Sequence, residues 1–204
     1  MVVFVSFDVG MMSIAYCIAE FVEPDTADEK EEDCFNRIPI IKSFKVDNIS
    51  GGKANTEIHT VERIARTVNF LKRVVEPDMR NRVEQGKEIK ILVENQMGPN
   101  TAARTVMTTI ITRFVERYRV IIIGPSLKNK ISLAPGLEHQ IYVDKYKTLS
   151  SANKSHTVDN FLFALKHANQ SGQKMEKSSI TEHVADAYCQ IVGYIWFGCK
   201  EDAF

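Results

Sequence analysis

The sequence predicts an α/β domain: one mixed five-stranded sheet with helices on both faces. Three observations predict it. Residues 1–49 carry three apolar stretches at strand spacing, separated by turn signals. From Ile58 onward the apolar residues recur at helical spacing, interrupted by two short strand-like runs at 89–93 and 120–123. At 204 residues the chain is long enough for one domain with a full core and short for two, so it is read as a single domain over 1–204.

Val2–Phe7 is an unbroken apolar run apart from Ser6 and reads as a buried strand. Asp8-Val9-Gly10 turns it into a second strand, Ser13–Phe21. Residues 22–36 are strongly acidic and read as an exposed surface loop. Ile38–Ile49 makes a third strand, closed by Ser50-Gly51-Gly52. Tight connections between the three imply an antiparallel meander. Ile58, Val61, Ile64, Ala65, Val68 and Leu71 then mark a helix expected to end near Pro77. Ile89–Val93 is the fourth strand, Asn100–Tyr118 a helix with Val106, Ile110, Ile111 and Phe114 inward, and Val120–Ile123 the fifth strand. Val158, Phe161, Leu162 and Leu165 mark a late helix; Ile180, Val184, Ala187, Ile191 and Tyr194 mark the last. A meander followed by strand–helix crossovers is the element order of the ribonuclease H-like fold. Actin-like ATPases begin with a related order, so the fold alone does not choose a function.

Composition narrows the classes. Hydrophobic residues make up 44% and charged residues 25%, ordinary values for a globular chain. No apolar run reaches the roughly 18 residues of a membrane span, and the first residues lack a secretory pattern, so an intracellular protein with no membrane partner is expected. Cys17, Cys34, Cys189 and Cys199 show no CxxC spacing and read as reduced thiols. The net charge of zero conceals a split. Residues 20–33 hold eight acids against Lys30, whereas residues 98–177 hold twelve basic residues against five acidic ones, the kind of asymmetry a nucleic-acid binder shows.

The informative residues are acids placed where an apolar element should continue. Asp8 ends the first strand and Glu94 the fourth, in ILVENQ. His183 and Asp186 lie three apart on the last helix and share a face offset from its core stripe. Ala185, Ala187 and Cys189 are small enough for that helix to approach a sheet closely. Taken singly, Asp8 is also what a common Asp-x-Gly turn uses, and Glu94 could cap the following helix. Together, with the first and fourth strands side by side and the helix across them, the acids converge. Such a cluster calls for cations, most naturally two Mg²⁺ or Mn²⁺ ions that activate a water and stabilise in-line phosphoryl displacement.

FDVG, VENQ and EHVADAY, in this order, resemble the motifs of RuvC-type Holliday junction resolvases, above all those of poxviruses and other large DNA viruses. The resemblance implies a Mg²⁺-dependent endonuclease with two ions per site, Mn²⁺ substituting. It would cut four-way DNA junctions as a homodimer, without a nucleotide cofactor, in recombination and replication-intermediate processing. If the chain is viral, it would act at the host-cell site of viral DNA replication. By motif position the metal ligands fall on Asp8, Glu94, His183 and Asp186, with Glu182 the alternative to His183. By the same resemblance the essential lysine falls on Lys154, within SANKSHTVD. Arg104, Arg113, Lys128, Lys130 and Lys147 are suited to duplex backbones. Two other readings stand beside this one. A phosphate-binding actin-like or sugar-kinase-type protein is suggested by DVG at a first hairpin, although Met11 and Met12 follow Gly10 where such loops place a hydroxyl. A branched-DNA scaffold without chemistry would share the fold, but would gain nothing from clustered acids.

Overall fold

β1 (Val2–Val9) is buried at every one of its eight positions, which only a central strand covered on both faces can be. In the computed structural model, which describes residues 1–22, 38–82, 86–96, 98–170 and 182–198, it lies in the middle of a five-stranded sheet. The strand order is β3-β2-β1-β4-β5, with β2 at Ser13–Phe21, β3 at Ile40–Asn48, β4 at Glu88–Glu94 and β5 at Arg119–Ile123. β1, β2 and β3 form the antiparallel meander, and β4 and β5 run parallel to β1. The acidic stretch 22–36 lies, but for Val22, outside the described residues.

Alternation along β1 divides its side chains between two cores. Val3, Val5, Phe7 and Val9 pack with Ile91 and Val93 of β4 against α1 (Thr60–Phe70) and α3 (Thr101–Phe114). Val2 and Phe4 pack with Leu92 on the other face, under α5 (Leu149–Gln170) and α6 (Glu182–Gly193). On that second face Val184, Ala187 and Ile191 are fully buried, as their spacing predicts.

Three helical details differ from the sequence reading. The first helix does not stop near Pro77: after α1 the chain makes a wide turn at Leu71–Val75 and continues as α2 (Glu76–Arg82). Pro77 is thereby placed in the first turn of a new helix, where its missing N–H costs little. The late helix is much longer than its apolar marks, at 22 residues. An extra short helix, α4 (His139–Lys145), precedes it and buries Tyr142, one residue being too little periodicity to read.

The segment between β5 and α4 is held both by burial of Ile131 and Leu133 in the core and by polar side chains of α5. Buried Asn160 accepts from the Leu133 N–H at 2.8 Å and donates to the His156 carbonyl at 2.9 Å, while His156 Nε2 donates to the Ile131 carbonyl at 2.9 Å. These bonds fix the chain just after the tight turn Leu127–Lys130. Cys17 and Cys189 are free, buried thiols, as expected; Cys34 and Cys199 lie outside the described residues. No helix among the described residues is long and apolar enough to cross a membrane.

Candidate active site

Strand parity builds the site. β1 and β4 run parallel with Phe7 opposite Val93, so Asp8 and Glu94 follow side by side at the ends of adjacent strands. Both sit at even positions and face α6, where the apolar series Val2-Phe4 and Leu92 gives way to Ser6-Asp8 and Glu94. The two carboxyls are close enough for Asp8 to raise the pKa of Glu94. α6 crosses directly above and adds His183 and Asp186.

Each acid has a partner from the surrounding elements. Asp8 Oδ2 is 2.7 Å from His183 Nδ1. Asp186 Oδ2 is 2.6 Å from the ammonium of Lys128, which also lies 3.3 Å from Glu94 Oε2. Gln190, fully buried on α6, donates to Glu94 Oε2 at 2.6 Å and accepts from the Ser6 hydroxyl at 2.8 Å. Because Ser6 can donate and the carboxylate accepts, the amide of Gln190 has one orientation that satisfies both.

Burial and mutual repulsion shift these groups. Desolvation, with the neighbouring acids Asp8 and Asp186, pushes Glu94 up to about 7 against the pull of Lys128. Asp186 is raised chiefly by burial. His183 is raised by its hydrogen bond to Asp8, which burial opposes. Burial acts to lower Lys128, but Asp186, Glu94 and Asp8 outweigh it and the ammonium is stabilised.

The predicted site residues therefore separate. Asp8, Glu94, His183 and Asp186 come together. Glu182 does not join them: it points to the rim and pairs with Lys154 at 2.9 Å, as the roughly 100° between successive helical residues requires. Lys154 is thus tied to Glu182 in solvent, with 55% of its side chain exposed, whereas Lys128, read as a backbone-facing residue, is the lysine among the acids, with 13% exposed. Lys130 and Lys147 are exposed. Arg104 and Arg113 lie on α3, across the sheet from the acids, lining a groove of about 880 Å³ between α1 and α3; Arg113 is paired with Glu76 at 2.6 Å. Gln190 and Ser6 escaped the sequence reading. The signal available was a glutamine in the apolar run YCQIVGY and a serine inside a buried strand.

The donor set is one that hard divalent cations take: three carboxylates and an imidazole at one end of two parallel strands. The side chains are turned toward internal partners rather than into a ready-made cage, and among the described residues no three His, Cys, Asp or Glu side chains meet as one.

No family model and no curated protein matches this sequence. Solved structures match in fold. Thermus thermophilus RuvC is 13% identical, with a TM-score of 0.54 over 98% of this chain and 96% of that one. RuvC of the same organism in complex with a Holliday junction substrate is 14% identical, with a TM-score of 0.53 over 97% and 96%. The fowlpox virus resolvase in complex with substrate Holliday junction DNA is 13% identical, with a TM-score of 0.51 over 95% and 97%. The chain has the ribonuclease H-like fold of these proteins over nearly its whole length.

Replacing Gln190 with Leu leaves the Ser6 hydroxyl and one Glu94 oxygen without their buried partner. The variant should lose about 1–3 kcal/mol in urea unfolding, and a loss below a few tenths would show that water replaces the amide. The raised groups also fix a pH response. A carboxyl or imidazole with a raised folded pKa contributes stability below its unfolded value and loses it as pH rises through the folded one. Glu94, Asp186 and His183 all act in this direction, so the chelator-treated protein should melt lower at about pH 8 than at about pH 5. A melting temperature that rises across this window would contradict the assigned shifts.

Proposed function

We propose that this protein is a structure-selective endonuclease that resolves four-way DNA junctions by divalent-metal-dependent phosphodiester hydrolysis. The observation that carries the reading is the meeting of Asp8, Glu94, His183 and Asp186 at one sheet end, in a fold shared with junction-bound resolvases. Neither a kinase-like phosphate loop nor a bare scaffold needs three clustered acids at that place.

Asp8, Glu94, His183 and Asp186 would hold the ions, Mg²⁺ with Mn²⁺ substituting. When bound, two such ions supply a nucleophilic water and neutralise charge on the phosphoryl oxygens. The protein's own groups do the rest. Gln190 and Ser6 hold the Glu94 carboxylate in one orientation beneath α6. The ammonium of Lys128 can stabilise the negative charge that builds on the phosphate. Lys130, Lys147 and Lys154 are exposed, and their role would be to position the DNA by its backbone without reading sequence. Resolution needs two symmetric cuts, which a two-fold homodimer supplies with one site per subunit.

Purified protein incubated with a labelled four-way junction and a matched linear duplex tests this. Paired nicks at the branch point should appear with Mg²⁺ or Mn²⁺ and vanish with EDTA. Asp8→Asn, Glu94→Gln and Asp186→Asn should each lower the rate by roughly two or more orders of magnitude while junction binding survives, since phosphate contacts carry affinity. His183→Ala should cost more than Glu182→Gln. Near-normal nicking by any carboxamide variant removes that residue from the site, and ATP turnover without cleavage replaces the whole reading with the kinase-like one.

A further inference from the structure

Lys128 occupies an unusual position for a lysine. Its ammonium is largely buried and touches two of the acids at once, Asp186 at 2.6 Å and Glu94 at 3.3 Å. The contact is built into the backbone. The turn Leu127–Lys130 rests on the last turn of α6 at Gly193, where an added Cβ would lie 2.9 Å from the Leu127 carbonyl oxygen. Any larger residue there would push the turn away from the helix. On its far side the same turn is held through Ile131 and Leu133 by His156 and Asn160 of α5. Two helices thus fix the chain that delivers one cation to the acids.

Electrostatics says what that cation does. Three acids brought together between two strand ends and a helix repel one another and lose hydration, a cost of several kcal/mol per unpaired charge. Lys128 offsets it without any ion from solution. An ammonium and a divalent cation seated on the same oxygens, however, repel each other at close range. Asp186 Oδ2 and Glu94 Oε2 are the atoms on which the two compete.

We infer that Lys128 is an exchangeable internal counterion: its ammonium holds Asp186 and Glu94 together in the metal-free protein and leaves these oxygens when a divalent ion binds. The exchange deepens the metal-site reading above but needs no DNA. It makes metal uptake a competition with a built-in cation. It also makes the site's affinity for the metal alone lower than its acids would otherwise provide. The released ammonium, on its four-carbon stem, is then free to meet an incoming phosphate.

The test is titration of chelator-stripped protein with Mn²⁺ alone, followed by calorimetry and by the electron-paramagnetic signal of free Mn²⁺. Lys128→Met and Lys128→Gln should each bind Mn²⁺ more tightly than the natural protein, by roughly tenfold, the size of a typical coupling between sites. In chelator both should melt lower, and Mn²⁺ should raise their melting temperature more. Lys130→Met removes a neighbouring charge that touches none of the acids and should change Mn²⁺ affinity less than about twofold. Damage to the site would weaken binding, so the sign of the change separates exchange from disruption. Equal or weaker Mn²⁺ binding by both Lys128 variants, with native circular dichroism, overturns the exchange, as does an equal gain from Lys130→Met. Exchange observed in a protein that cuts no junction supports this inference while removing the resolvase reading. Cleavage without exchange does the reverse.

Discussion

The structure depends on the meeting of three carboxylates between the sheet and α6: Asp8 and Glu94, buried at the ends of β1 and β4, and Asp186 on the helix above them. A lone buried acid in this position would neutralise itself or unfold its surroundings. Three are kept by an arrangement in which every neighbour has a part. His183 meets Asp8, Lys128 spans Asp186 and Glu94, and Gln190 gives Glu94 its amide. The packing around them follows from the need for close approach. Ala185, Ala187 and Cys189 are fully buried, and Gly193 leaves no room even for a methyl group against the Leu127 backbone.

The rest of the fold serves to hold these strand ends still. β1 and β4 are neighbours at the sheet centre, clamped from one face by α1 and α3 and from the other by α5 and α6. The rings of Phe7 and Phe114 stack 5.9 Å apart on one side, and Phe4 meets Tyr194 at 5.8 Å on the other. Even the β1–β2 turn is secured: the buried guanidinium of Arg63 donates to the Met11 carbonyl and to Asn55 Oδ1 at 2.8 Å. Acids that must accept exchangeable cations without moving apart require such a support.

The sheet, its helices on both faces and the meeting of Asp8, Glu94, His183 and Asp186 were legible because each rests on a period. Alternation along β1 and β4 places two acids on one face, and three residues of helix bring His183 and Asp186 onto one side. What stayed hidden rests on no period. Lys128 reaches the acids through an irregular turn whose path is set by hydrogen bonds from α5, so its sequence context resembles that of any surface lysine. Lys154 fits a motif position, yet its place on α5 gives it to Glu182 at the rim. Gln190 sits inside an apolar helix run, where a single polar residue is easily taken for an interruption of the core. Arg104 and Arg113 share the chain's basic half with Lys128, but charge counted along a sequence does not say which face of a sheet it will occupy.

The central claim, that these acids form a divalent-cation centre, is tested most directly by diffraction from crystals soaked in Mn²⁺, with anomalous difference maps recorded before and after. The account predicts anomalous density among Asp8, Glu94, His183 and Asp186, with the Lys128 ammonium moved off Asp186. Density only elsewhere on the surface, with Lys128 still bridging Asp186 and Glu94 at saturating Mn²⁺, would contradict it.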